Sequence, residues 1–463
     1  MMPETPRASL LKDLQRVVEG EVTQAPEVLE RYSQDFGRIV QRTPAAVVLP
    51  RHAEDVAQVV RYAHAQSIPV SSRAIGHSMR GQTLNEHGIV IDMRELRRIE
   101  PITPDAQTFV SQPGALWREV AEASTAQGLA PPVLTGYPYT SVGGTHSACG
   151  WGISSSRYGA QIDNCVELEV VTGTGERVRC SRDQEPDLFN HVLGGMGQFG
   201  LMTEVRHRLR RYQPIVRTYV LEYDDLTAYI EDNRTLGAGE VADYLDCALH
   251  QKPDGQGIRW TGTIRASVET TDPSRIDDQR LLAGLRFNRH VSTLDEPTST
   301  FLMQDSTPVK NPLPGEAYPW MVTFLPWSRF QPFLEMCFRR VPPTALGGTH
   351  GPIHVWPALR KVARIPTLQL PQEEMMALIS ICPTAASSSL PIMMAVMSKL
   401  SDASMEAGGR RHLGTWVHFD QVRWKMHFGD AWTTVNRIKR TYDPLGILNP
   451  GFIEFELGAA PSP

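Results

Sequence analysis

The sequence predicts an α+β fold in more than one packed unit, and three observations carry that expectation. The chain has 463 residues, too many for one simple core. Its first third alternates segments of helical apolar spacing with short strand-like runs. From about residue 213 the pattern shifts to longer strand-like stretches broken by Pro-, Gly- and Asp-rich segments.

Taken in order, Ser9-Leu-Leu-Lys-Asp-Leu reads as an amphipathic helix with Ser9 as its cap. Glu54 to Ala65 carries apolar residues at helical spacing, and Ile68-Pro-Val-Ser-Ser follows as a short strand. Gly88-Ile-Val-Ile-Asp-Met is a buried-strand pattern, and Ala115 to Ala123 a helix after the Pro113-Gly114 turn. Val166 to Val171 and Glu176 to Cys180 flank Thr172-Gly-Thr-Gly and predict a hairpin. The strand Leu201 to Leu209 closes this unit, whose core spans 45–212 within a first domain of 1–212. In a second domain, 213–412, Gly255 to Ala266 reads as strand and Gln372 to Ser380 as helix. Thr270 to Val309 and Pro312 to Tyr318 read as surface loops. The tail, 413–463, holds a helix from Asp430 and then the turn-rich Tyr442-Asp-Pro-Leu-Gly-Ile-Leu-Asn-Pro-Gly.

Hydrophobic residues are 41% and charged residues 21%, with net charge −5 and no Lys/Arg block, which argues against nucleic acid or an anionic membrane as partner. The most apolar run, Leu390 to Met397, is far short of the roughly 20 residues that span a bilayer. With no export signal in the N-terminal residues, a cytoplasmic protein is expected. Six cysteines stand singly, the pattern of buried thiols rather than a zinc site or a disulfide framework.

Two loops carry the chemistry. Arg73-Ala-Ile-Gly-His-Ser-Met-Arg-Gly-Gln follows a strand and has no acidic residue; its successive N–H groups suit a pyrophosphate, with His77 among them. Thr135 to Gly159 has six glycines, many hydroxyls and no acid, a composition for close backbone approach to a large planar ligand. Gly195-Met-Gly-Gln-Phe-Gly matches G-x-G-x-x-G literally, but a helical pattern precedes it and a strand follows. That inverts the dinucleotide fingerprint and argues against a Rossmann NAD site. His350-Gly-Pro-Ile-His354 reads as a turn, because Gly-Pro forbids the shared helix face a metal would use. No metal site is expected.

These motifs together resemble the FAD-linked oxidases of the vanillyl-alcohol oxidase and p-cresol methylhydroxylase (PCMH-type) superfamily, and most closely the cytokinin dehydrogenases. The likeness runs from Asp35-Phe-Gly and Pro44-Ala-Ala-Val-Val-Leu-Pro to the tail. It includes Gly76-His-Ser-Met-Arg-Gly-Gln, Ser141-Val-Gly-Gly-Thr-His-Ser, Arg157-Tyr-Gly-Ala-Gln-Ile-Asp-Asn, Tyr318-Pro-Trp and Trp424-Lys-Met-His-Phe-Gly-Asp-Ala-Trp. It implies a PCMH-type FAD-binding domain of two α+β subdomains and a substrate domain with a large antiparallel sheet flanked by helices. The tail would return to the FAD domain. By the same resemblance His77 would bond the 8α-carbon of the isoalloxazine, making the FAD covalent. Ala74, Ile75, Gly76, Ser78 and Gln82 would surround the pyrophosphate. Ser141, Gly144, Ser147 and Trp151 would line the flavin, Leu201 would offer its backbone, and Asn449 would close the site. A small substrate would give up hydride from a carbon bearing nitrogen or oxygen, with oxygen or another acceptor taking the electrons.

One departure matters. Plant cytokinin dehydrogenases carry Trp-Thr-Asp-Tyr, whose aspartate pairs with the substrate nitrogen; this chain has Leu134-Thr-Gly-Tyr, so Gly136 occupies the cofactor-side position without a carboxylate. Such a base contributes roughly 100- to 10,000-fold in rate. Asp246, in Asp243-Tyr-Leu-Asp, is the first candidate replacement, followed by His146, Tyr137 and Tyr139. Three readings follow: a related oxidoreductase of specialised metabolism acting on another substrate, authentic cytokinin cleavage, or a flavin-binding protein without turnover.

Overall fold

The computed structural model describes residues 7–239, 241–253, 258–306, 312–346 and 353–456. The first sheet orders its strands Glu21–Thr23, Ala46–Leu49, Ile89–Asp92 and Val70–Arg73. The last three run parallel. The crossover helix Ala53–Gln66 buries Val56, Val59, Val60 and Ala63, the stripe its spacing predicts. His52 Nδ1 accepts the Asp55 N–H at its start, and Ser67, at φ 52°, ends it. A second, antiparallel sheet orders Thr108–Ser111, Leu201–Arg208, Cys165–Val171 and Arg177–Ser181, with the predicted hairpin as its far edge.

The third sheet has eight antiparallel strands: Arg289–Pro297, Ile215–Tyr223, Ile258–Thr270, Tyr244–Pro253, Ile353–Leu359, Met375–Ile381, Met321–Pro326 and Arg410–Arg411. Helices Leu226–Ala238, Trp327–Arg340 and Leu390–Glu406 pack against it. The tail helices Gln421–Phe428 and Trp432–Tyr442 pack Trp424, Phe428, Trp432 and Ile438 into the cluster that holds Leu188, Phe189 and Phe199. Ile447 and Leu448 join the core of the first sheet.

Several sequence expectations are corrected here. The run Gln372 to Ser380 is not a helix but the strand Met375–Ile381, paired on both sides. Its apolar run is buried by neighbouring strands on both edges, and that pairing outweighs helix propensity. The span Thr270 to Val309 is not all loop: it forms the helix Asp278–Leu282 and the edge strand Arg289–Pro297, held by the register of Ile215–Tyr223. Ser9 lies within the first described helix, Arg7–Val17, rather than capping it. His354 lies in strand Ile353–Leu359 rather than in a turn, while His350 and residues 254–257 fall outside the described residues. All six cysteines are buried and free. Among the described residues no helix is long and apolar enough to cross a membrane.

Candidate active site

The two glycine loops meet at one cavity of about 340 Å³. The loop leaving strand Val70–Arg73 turns through Gly76 and Gly81, both at positive φ (74° and 75°), a conformation side-chain-bearing residues rarely adopt. Gln82 ties this loop to the chain leaving the large sheet: its Nε2 donates to Leu413 O at 3.2 Å and Thr415 O at 3.3 Å, and its Oε1 accepts Arg80 N–H. The second glycine segment is not a surface loop throughout. Val142–Ser147 is a short helix, begun by Ser141 Oγ accepting the Gly144 N–H at 3.2 Å. Glycine is required at 143, where a Cβ would stand 2.5 Å from Pro113.

The cavity is lined from the first loop by Ala74, Ile75, Gly76, His77, Ser78 and Gln82. The second supplies Tyr137, Ser141, Gly144, Ser147 and Trp151. Asn449 lines it too, held at φ 46°, with its N–H donating to Val70 O and its Nδ2 to Met196 O. The remaining expected residues lie outside the lining. Leu201 sits in the core below the first sheet, while its neighbour Met202 lines the cavity. Gly136 is exposed. Tyr139 is exposed as well, under the Arg118 guanidinium. His146 is fully buried, stacked on Trp117 (centroids 5.8 Å, 13°) with Nδ1 on Val142 O; burial and the neighbouring His207 push it down to about 3. Asp246 stands beside His354, Oδ1 to Nδ1 3.7 Å. Burial raises its carboxyl, but His354 and Arg265 outweigh that and hold it below the usual range. His354 stacks on Trp356 at 5.1 Å, and Trp356 lines the cavity.

His77 is the titratable group at the heart of the lining. Its ring stacks on Phe36 and lies 5.1 Å from Tyr137. Burial pushes the imidazole down to about 4, so it is neutral at pH 7. Its Nε2 is buried without a hydrogen-bond partner, as are Trp151 Nε1 and Asn449 Oδ1. Orphaned polar atoms at a cavity wall mark groups that a ligand completes. Among the described residues no carboxylate lines the cavity, whereas Arg73 does, which suits an anionic diphosphate. The residues present therefore fit FAD.

Residue types alone did not point to the contribution of the large sheet. Trp356 and Leu378 are register partners, as are Val322 and Ser380, and all four line the cavity with Trp320 and His412. Only Trp320 had a signal, in Tyr318-Pro-Trp. The Gly195 motif is preceded by helix Pro186–Val192 and followed by strand Leu201–Arg208, the inverted context, yet its Met196 and Gly197 reach the cavity.

Comparison with known proteins fits this geometry. An FAD-binding domain family matches residues 44–181, and the family described as "Cytokinin dehydrogenase 1, FAD and cytokinin binding" matches residues 304–455. Cytokinin dehydrogenase 4 of Oryza sativa subsp. japonica is 31% identical over 466 residues, covering 90% of this chain and 87% of the relative. The chain belongs to the cytokinin dehydrogenase family of FAD-dependent oxidoreductases. This family member is also 30% identical over 424 residues to "Uncharacterized oxidoreductase ORF5 in fasciation locus" of Rhodococcoides fascians, across 90% of this chain and 95% of that one. Its fold is shared by 6-hydroxy-D-nicotine oxidase from Arthrobacter nicotinovorans, with TM-score 0.72 and 21% identity over 96% and 98% of the two chains. This FAD-dependent oxidoreductase thus has the PCMH-type architecture, the large antiparallel sheet included.

Proposed function

We propose that this oxidoreductase holds FAD covalently through His77 and removes hydride from a C–N or C–OH carbon of a small organic molecule other than a cytokinin, in specialised metabolism. The observation that carries the attachment is His77 itself: a neutral imidazole at the cavity wall with Nε2 buried and unpartnered. Attachment to the 8α-methyl carbon would replace the imidazole N–H and one methyl C–H by an N–C bond, with the two hydrogens and their two electrons passing to an acceptor such as dioxygen. Ala74 to Ser78 and Gln82 would hold the diphosphate, Ser141, Gly144, Ser147 and Trp151 would line the ring, and Asn449 would close the site. Bound FAD supplies the hydride acceptor, and oxygen or another acceptor takes the electrons.

The chain's own part is orientation and proton removal. Of the four candidate bases, Tyr137 borders the cavity, and Asp246, outside its lining, pairs with His354, which stacks on the cavity-lining Trp356. His146 is sealed in the core and Tyr139 faces solvent, so Asp246 and Tyr137 are the groups we assign. Gly136 offers no carboxylate, and a Cβ there would stand 2.4 Å from Ser306 Oγ.

Acid precipitation tests the attachment. The wild-type pellet should be yellow and that of His77→Ala colourless; a colourless wild-type pellet refutes it. Authentic cytokinin oxidation is the second reading, favoured by the family match over residues 304–455. Flavin bleaching and aldehyde release with isopentenyladenine would establish it, and a flavin that no amine or alcohol reduces would leave a binding protein without turnover.

A further inference from the structure

The segment Asp35-Phe36-Gly37 has no place in the chemistry above, yet it grips the His77 loop on both sides of the histidine. Phe36 N–H donates to Gly76 O at 3.0 Å and Gly37 N–H to Ser78 O at 2.9 Å, so two backbone bonds bracket His77. Asp35 Oδ2 accepts from Ser78 Oγ at 2.8 Å and from Gly81 N–H at 2.6 Å, pinning the loop one and four residues beyond it. The Phe36 ring stacks on the imidazole, centroids 4.1 Å apart at 25°. It is itself wedged against Tyr318 and Trp320, 5.1 Å from each. Gly37 permits this approach, since a Cβ there would stand 2.2 Å from Met79 O. Neither Asp35 nor Phe36 lines the cavity. Whatever they do for the cofactor, they do through His77.

We infer that Asp35 and Phe36 are positioning residues for flavin attachment, fixing the loop and the plane of the His77 imidazole so that its free nitrogen is presented in one orientation. The inference rests on the attachment through His77 proposed above. A ring free to turn spends little time in a reactive geometry, whereas one held by a stacked partner is already oriented. Non-covalent capture of FAD depends on the cavity wall, which these residues do not form. Capture and attachment should therefore respond differently to their removal.

The test follows apoprotein incubated with FAD by two readouts, fluorescence quenching for binding and acid-stable absorbance against time for attachment. In Phe36→Leu and Asp35→Ala we expect affinity close to wild type and attachment slowed about 100-fold, the scale of a small misplacement. Phe36→Tyr, which keeps the ring, and Asp35→Asn, which keeps an acceptor oxygen, should recover most of the rate. Attachment in Phe36→Leu and Asp35→Ala as fast as in wild type overturns the inference and leaves the His77 reading intact. Affinity falling in parallel with attachment also overturns it, in favour of a purely structural role. A wild-type protein that never acquires acid-stable colour refutes the His77 reading itself and this inference with it. Should Asp35→Ala fail to fold, the Phe36 pair decides alone.

Discussion

Two glycines beside the site show how much a single Cβ matters and why. At Gly37 an added methyl would meet Met79 O, C and Cα at 2.2, 2.5 and 2.6 Å. All three are backbone atoms of the loop that carries His77, so they yield only if the loop moves. Gly37→Ala is expected to destabilise by roughly 1–3 kcal/mol, as overpacking does, and to lower acid-stable flavin. At Gly136 the close atom is a hydroxyl, Ser306 Oγ, and the next is 3.8 Å away; a hydroxyl can turn. Gly136→Ala should therefore stay within about 0.5 kcal/mol of wild type. Urea midpoints of the two variants, measured side by side, check the contrast. The sequence marked Gly37 as part of the family pattern and Gly136 as a departure from it, but which neighbour each one meets is decided by segments distant in the chain.

At the scale of elements, the tail helix Trp432–Tyr442 depends on one buried pair. Lys439 Nζ lies 2.7 Å from Asp443 Oδ2, with both side chains almost fully buried, and also donates to Gln198 O and Leu448 O. Asp443 in turn accepts the N–H groups of Ile447 and Leu448, which shapes the turn that delivers Asn449 to the cavity. Removing the lysine leaves a buried carboxylate without its partner, so Lys439→Ala should lose about 3–5 kcal/mol in denaturant unfolding, and its apoprotein should bind added FAD more weakly. Strand Met375–Ile381 is the counter-example in legibility. Helix and strand are both compatible with an apolar run of that length, and only its two neighbouring strands settle it. The amphipathic helix Ala53–Gln66 was readable because its own periodicity defines its buried face.

Across the whole molecule, burial of neutral histidines sets the acid response. His77, His146, His207 and His427 are pushed down to about 4, 3, 4 and 3, each by burial first. Between those values and the unfolded value near 6.5, the unfolded chain binds more protons than the folded one. Stability from these groups is thus present above pH 6.5 and is lost as pH falls. Asp35 and Asp163 act the other way: burial raises both to about 6, so their contribution falls as pH rises from about 4 to 6. Four histidines against two carboxylates leave the first effect dominant. In the flavin-free protein, where His77 is a free imidazole, the urea midpoint should drop steadily from pH 7 to pH 5, and a midpoint that rises over that range contradicts this balance.

The sequence by itself determined the chemistry the protein carries: two charge-poor glycine loops, an imidazole within one of them, and the order of motifs that places the chain in an FAD-linked family. Backbone conformation at glycines and the absence of acidic side chains are local properties, so they are written where they act. Which side chains share the cavity was decided only by tertiary structure. His146 and Tyr139 belong to the same stretch as Tyr137, yet one is sealed under Trp117 and the other faces solvent. Trp356, Leu378 and His412 reach the cavity through sheet register and chain return. Contacts of that kind join residues far apart in the chain, and no local pattern encodes them.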